Sequence, residues 1–199
     1  MNHLAHFQLS QGSHGWMIGG LLGDFVKGPL QGRYPVQWEE GIHLHRLIDA
    51  FSDQHSEWRN CYQLFQPQFR RFSGIMLDIA ADHFLCRHWH QFETVPLGTF
   101  CSTVYTLLEQ TTQLPDEARS LAGHLVRGQS LQRYNDPSSM GAALTRIGKR
   151  LKRDNPLHQA EQELLLNYQA IEQCFLSFYP QLQSFANTQR EQLKRSFNT

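Results

Sequence analysis

Apolar residues recur along this chain at spacings of three and four, and almost nowhere at two. That rhythm predicts helices. Residues 2–10 form a short mixed segment, and Gln11-Gly12-Ser13 breaks it. From Ser13 or His14 to about Val26 the pattern predicts a helix that is apolar nearly all round, with Trp16, Met17, Ile18, Leu21, Leu22 and Phe25, and with Asp24 inside it. Gly28-Pro29 and the stretch from Gly32 to Pro35 mark a loop. A second long helix is expected from Val36 to Asp53, then others over 56–66, 73–90, 96–112, 116–134, 138–153 and about 157–195, the last containing Pro180. No period-two run of β-branched residues and no Asn-Gly or Asp-Gly hairpin turn interrupts the series. The expected fold is all-α, a compact helical bundle.

Two of these helices carry chemistry on faces that should be packed. Stepping by three and four from Trp38 meets Ile42, His45, Asp49 and then Ser52 or Asp53, beside a greasy stripe of Leu44, Leu47, Ile48 and Phe51. Residues four apart stack on one helical face, so His45 lies over Asp49 and Asp78 over Asp82, with His83 about 100° round from Asp82. Unpartnered imidazoles and carboxylates cost several kcal/mol to bury, so they pair with one another or bind a metal. Nitrogen and oxygen donors together suit Mn²⁺, Fe²⁺, Zn²⁺ or Mg²⁺, and such an ion activates water for phosphoester hydrolysis. A plain ion pair is the competing reading for His45 and Asp49, and a satisfied core residue for any single buried His. His43 points about 160° away from His45, so it serves the site only if the helix starts or bends there. Arg46 can neutralise a phosphate or simply pair with Asp49.

Length and composition narrow the context. With 199 residues the chain makes one sizeable domain, and nothing requires two. No apolar run approaches the ~20 residues of a membrane helix, and Met1-Asn2-His3 starts without a basic signal region. The cysteines at 61, 86, 101 and 174 include no C-x-x-C pair, which argues against a zinc ribbon or a disulfide framework and for a cytoplasmic protein. Gly19-Gly20 and Gly23 lack the ending of a phosphate-binding P-loop.

The formal net charge of zero conceals a division. From Arg119 to Arg153 there are eight basic residues against one acid, Asp136, a local charge of +7. The densest part holds Arg146, Lys149, Arg150, Lys152 and Arg153 in a helix-compatible ridge. A ridge of this kind is a solvated face or a docking surface for an acidic partner. It has no interleaved aromatics for stacking bases, so nucleic acid is not the expected partner.

The motifs resemble those of the acyl carrier protein phosphodiesterase family. They are Asn2-x-Leu4-Ala5-His6, Gly23-Asp24-Phe25-Val26, Gly41-Ile42-His43-x-His45-Arg46-x-Ile48-Asp49, Leu77-Asp78 with Asp82-His83-Phe84-Leu85, and Phe178-Tyr179-Pro180. The resemblance implies an HD-like helical hydrolase, dependent on a divalent metal, with Mn²⁺ expected and Mg²⁺ or Fe²⁺ as alternatives. Its reaction would be cleavage of the phosphodiester joining 4′-phosphopantetheine to a serine of acyl carrier protein. Asp82-His83 stands in the order opposite to the His-Asp doublet of the wider HD group. Under this resemblance His6, His45, Asp49, Asp82 and His83 are the expected metal ligands. Asp24, His43 and Arg46 are the expected catalytic residues, Arg46 holding phosphate and His43 serving as a reserve acid or base. The small acidic carrier would dock on the basic ridge. Two other functions fit the same residues: an HD-like phosphohydrolase acting on a nucleotide such as a guanosine polyphosphate, and a non-catalytic carrier-binding protein.

Overall fold

The computed structural model describes residues 1–196. They form twelve α-helices, with three short 3₁₀ turns and no strand among the described residues. The helices are α1 (His3–Leu9), α2 (His14–Leu22), α3 (Val36–Gln54), α4 (Ser56–Asn60), α5 (Ser73–Arg87) and α6 (Trp89–Phe92). They continue with α7 (Leu97–Gln110), α8 (Asp116–Gly128), α9 (Ser130–Arg133), α10 (Ser138–Arg150), α11 (Ala160–Leu166) and α12 (Tyr168–Ser196). No helix among them is long and apolar enough to cross a membrane.

Several expected elements are cut differently. The segment 2–10 is a helix, α1, because Asp82 caps it from 77 or more residues away: its carboxylate accepts from Leu4 N at 2.9 Å and Ala5 N at 3.0 Å. Seven residues make a marginal helix alone, and these two bonds satisfy donors that a helix start leaves orphaned. α2 stops at Leu22, so Asp24 lies in the turn after it rather than within it. The 116–134 stretch divides at Gln129, whose φ of 45° is left-handed. α10 ends at Arg150, which leaves Lys152 and Arg153 beyond the helix.

The centre of the fold is the contact between α2 and α3. Gly15 approaches Gln37, Gly19 approaches Gly41, and Gly23 approaches His45, so the two registers rise together and the helices run parallel. A Cβ on Gly19 would stand 2.3 Å from Trp38 O, and one on Gly41 would stand 2.3 Å from Trp16 O. Only glycine allows backbones this close. α12 lies across the other side as a spine. Its Phe178 stacks on Trp58 with centroids 4.9 Å apart, its Phe185 stacks on Phe51 at 4.5 Å, and Tyr179 donates to Gln8 Oε1 at 2.9 Å. One apolar core results, running from Leu4 to Ala186. It packs α1 on α5 and brings the side chains of His6 on α1 and His45 and Asp49 on α3 together.

Candidate metal centre

Three donors converge there. His6 of α1 and His45 and Asp49 of α3 each offer a ligand atom, and these atoms lie within 4.8 Å of one another. His6 and His45 are buried, at 2% and 3% exposure, and their rings stack with centroids 3.8 Å apart. Asp49 Oδ1 is 3.1 Å from His6 Nε2, and Asp49 Oδ2 is 3.1 Å from His45 Nε2.

The hydrogen bonding of the two imidazoles shows what the cluster is suited to hold. His45 Nδ1 lies 2.8 Å from Gly20 O. A carbonyl only accepts, so Nδ1 carries the proton and donates it. With Nδ1 so engaged, Nε2 is the nitrogen that His45 turns toward Asp49, 3.1 Å away, where it can share a cation with the carboxylate. His6 makes the same point: despite the short approach to Asp49, neither ring nitrogen has a hydrogen-bond partner. Buried polar atoms are nearly always satisfied, and a backbone carbonyl behind a ligating imidazole is the usual outer support of a metal-binding His. Burial holds His6 down at about 4, with the neighbouring His45 adding to the effect, so His6 is neutral and its lone pair is available at neutral pH. Burial alone would raise Asp49, but the close approach of the His45 and His6 rings and of the Met1 α-amino group outweighs it and holds this carboxyl far below the usual carboxylate range. The residues present fit a divalent ion.

The surroundings are acidic. Asp24 is half-exposed, with Oδ1 3.8 Å from His45 Nε2 and Oδ2 3.8 Å from His3 Nδ1. The α-amino nitrogen of Met1 lies 3.0 Å from Asp49 Oδ1 and 3.1 Å from Asp78 Oδ1. Gly23 makes room for the His45 ring, since a Cβ there would fall 2.1 Å from His45 Cγ.

Four of the expected site residues stand apart from this cluster. Asp82 is fully buried with its oxygens taken up by Leu4 N, Ala5 N and Asn2 Nδ2, so it caps α1 instead of ligating. Burial pushes its carboxyl up to about 7 in spite of those bonds. His83 has both nitrogens committed, Nδ1 to Tyr134 O and Nε2 to the Tyr168 hydroxyl, each at 2.6 Å, leaving no lone pair for a metal. His43 is exposed on the side of α3 away from His45, as helical geometry requires of residues two apart. Arg46 is half-buried and donates Nη2 to Val26 O at 2.8 Å, tying down the loop that follows Asp24. The pattern of helical faces did not single out His3. It emerges once α1 is seen to be a helix, because His3 then sits one turn before His6.

An all-α fold with a buried pocket of imidazole and carboxylate donors defines the class: a helical protein built around a candidate divalent-metal centre. The particular family follows from comparison with known proteins. A family model described as acyl carrier protein phosphodiesterase matches residues 1–182. Proteins of that name from Pectobacterium atrosepticum, Klebsiella pneumoniae and Escherichia coli are 33%, 34% and 35% identical to this chain. These alignments cover 96%, 96% and 94% of it, and 100%, 100% and 98% of the respective relatives. The chain belongs to the acyl carrier protein phosphodiesterase family. No solved structure matches it.

Proposed function

We propose that this chain is a divalent-metal-dependent phosphodiesterase that hydrolyses holo-acyl carrier protein to apo-carrier and 4′-phosphopantetheine. The single observation that carries the metal dependence is the pair of imidazoles. His6 has no hydrogen-bond partner, and Gly20 O takes the Nδ1 side of His45, so the Nε2 atoms of both rings meet at Asp49. Family membership supports the substrate, since the relatives bear the name of the activity. His6, His45 and Asp49 would hold the ion, and two nitrogens with a carboxylate suit Mn²⁺ or Fe²⁺ better than Mg²⁺. An ion held there supplies a Lewis acid and a bound water of lowered pKa.

The protein's own residues do the rest. Asp24, half-exposed at the mouth, is placed to accept a hydrogen bond from the attacking water. As water adds to phosphorus, the bond from phosphorus to the serine oxygen breaks and that oxygen gains a proton. We read the chain as a single catalytic domain, on the strength of its one apolar core, and place it in the cytoplasm, where its free cysteines stay reduced. HD-type ancestry would then rest on the helical fold and the His/Asp donors of α1 and α3, without the Asp82-His83 pair.

The basic ridge supports a carrier partner. Arg146, Lys149, Arg150, Lys152 and Arg153 are all exposed, and among the described residues none of them is in an ion pair. The test is to incubate holo-carrier with the Mn²⁺-loaded protein and weigh the carrier by mass spectrometry. Appearance of apo-carrier is expected. An unchanged carrier mass with intact metal binding would reject the reading.

A further inference from the structure

One positive charge is built into the cluster, and no side chain supplies it. The α-amino nitrogen of Met1 is buried, 3.0 Å from Asp49 Oδ1 and 3.1 Å from Asp78 Oδ1. It links a metal-donor carboxylate on α3 to a second carboxylate on α5. Burial by itself would lower the pKa of this amine, but Asp78 and Asp49 outweigh burial and raise it to about 11, so it is an ammonium at neutral pH. Among the described residues no Lys or Arg pairs with Asp24, Asp49 or Asp78. The Lys and Arg ion pairs go to Glu172, Asp116 and Glu191 instead, and Arg46 is committed to Val26 O.

The amine reaches its two carboxylates from a backbone clamped one residue away. Asn2 Nδ2 donates to Asp82 Oδ2 at 2.9 Å and to the Tyr134 hydroxyl at 3.0 Å, and the same Asp82 carboxylate accepts from Leu4 N and Ala5 N. The charges of the cluster balance only with this group. Asp24, Asp49 and Asp78 bring three negative charges, and the ammonium cancels one of them. A divalent ion at His6, His45 and Asp49 would cancel the other two. Without the ammonium the loaded site would keep one negative charge and repel an anionic phosphodiester. Over a few ångströms inside a protein, one unit of charge changes the affinity for an ion by about tenfold or more.

We propose that the α-ammonium of Met1 is a charge-balancing group of the site: lodged between Asp49 and Asp78, it cancels the one negative charge that a divalent ion leaves, and so admits the anionic phosphodiester. It acts through the two carboxylates and does not touch the substrate. This rests on the metal-dependent phosphodiesterase reading. The test compares three forms of the full chain beginning at Met1: one with its α-amino group free, one with that group capped by formyl, and Asp78→Asn. The capped form is produced with peptide deformylase inhibited. A formamide is uncharged and has one N–H, so it cannot serve two carboxylates. Asp78→Asn keeps the shape of the side chain and removes one negative charge. Circular dichroism checks the fold of each. Titration calorimetry measures Mn²⁺ binding, then binding of inorganic phosphate to the Mn²⁺-loaded protein.

Formylation is expected to weaken phosphate binding by about tenfold or more, while Mn²⁺ binding holds or tightens because a positive charge has left a cation site. Asp78→Asn is expected to do the reverse, with weaker Mn²⁺ binding and phosphate binding at least as tight as in the wild type. This opposition separates charge from structure, since a merely orienting group would cost about 10–100-fold in Mn²⁺ affinity in both forms. Loss of Mn²⁺ affinity on formylation, or phosphate affinity unchanged by it, overturns the assignment. If the formylated chain does not fold, Asp78→Asn decides alone, and a fall in its phosphate affinity overturns the assignment. Failure of the free-amino wild type to bind Mn²⁺ overturns the metal reading and the charge balance with it. If the wild type binds Mn²⁺ but leaves holo-carrier intact, the substrate reading fails, and the phosphate titration still decides the role of the ammonium.

Discussion

His45 donates its Nδ1 proton to the carbonyl of Gly20 at 2.8 Å, and this one bond decides which nitrogen faces Asp49. It joins the end of α2 to the middle of α3 and fixes both the tautomer and the ring direction. Replacing Asp49 with Ala leaves the two Nε2 atoms without the carboxylate between them. Mn²⁺ affinity should fall by at least about 100-fold, beyond the range typical of changes behind the ligands. Calorimetry with Mn²⁺ measures this, and undiminished affinity would remove Asp49 from the ligand set.

Gly23→Ala tests the same bond from the other side. The added methyl would meet the His45 ring at 2.1 Å, and neither the buried ring nor the turn can yield cheaply. A loss of about 1–3 kcal/mol in denaturant stability is expected, together with weaker Mn²⁺ binding. Wild-type stability and affinity would show that the ring moves freely.

Asp82→Ala separates a cap from a ligand. Loss of the acceptor for Leu4 N and Ala5 N should destabilise the protein by about 1–3 kcal/mol. The Mn²⁺ stoichiometry of the folded variant should be unchanged. A variant of normal stability that no longer binds metal would restore Asp82 to the site.

His6 makes stability depend on pH in a defined direction. Its pKa is lowered from 6.5 to about 4, chiefly by burial. Between those values the unfolded chain takes up a proton that the native protein refuses, so this contribution is present at neutral pH and is lost as pH falls through the window. The full difference is about 3 kcal/mol. Asp82 has the opposite sign: raised to about 7, it keeps a proton in the native state that the unfolded chain has released, so stability falls as pH rises from 3.8 to 7. Subtracting the urea stability of His6→Gln from that of the wild type, both in chelator, cancels Asp82 and isolates His6. The difference should shrink by about 3 kcal/mol between pH 7 and pH 4, and a flat difference would contradict the burial of His6.

His43→Ala should change neither kcat nor Mn²⁺ affinity by more than about twofold, because the side chain is exposed away from the cluster. A large fall in kcat with metal binding intact would return His43 to an acid–base role.

Much of this protein is decided locally. Apolar spacing determines that it is helical, and the four-residue step from His45 to Asp49 determines that these two share a face, since both follow from the 3.6-residue turn alone. The same geometry separates His43 from His45. What the spacing cannot carry is the environment of each face. Asp78 and Asp82 share a stripe of α5, yet Asp78 reaches the cluster and Asp82 is consumed by capping α1, a partner 77 residues earlier in the chain. His83 shows no difference from a ligand until Tyr134 and Tyr168 take its two nitrogens. α1 itself is too short to announce itself as a helix, so the stacking of His6 on His45 is invisible along the chain. Hydrophobic periodicity is set by neighbours within a turn or two, whereas a ligand set is set by which helices the core brings together, and only the folded structure decides that.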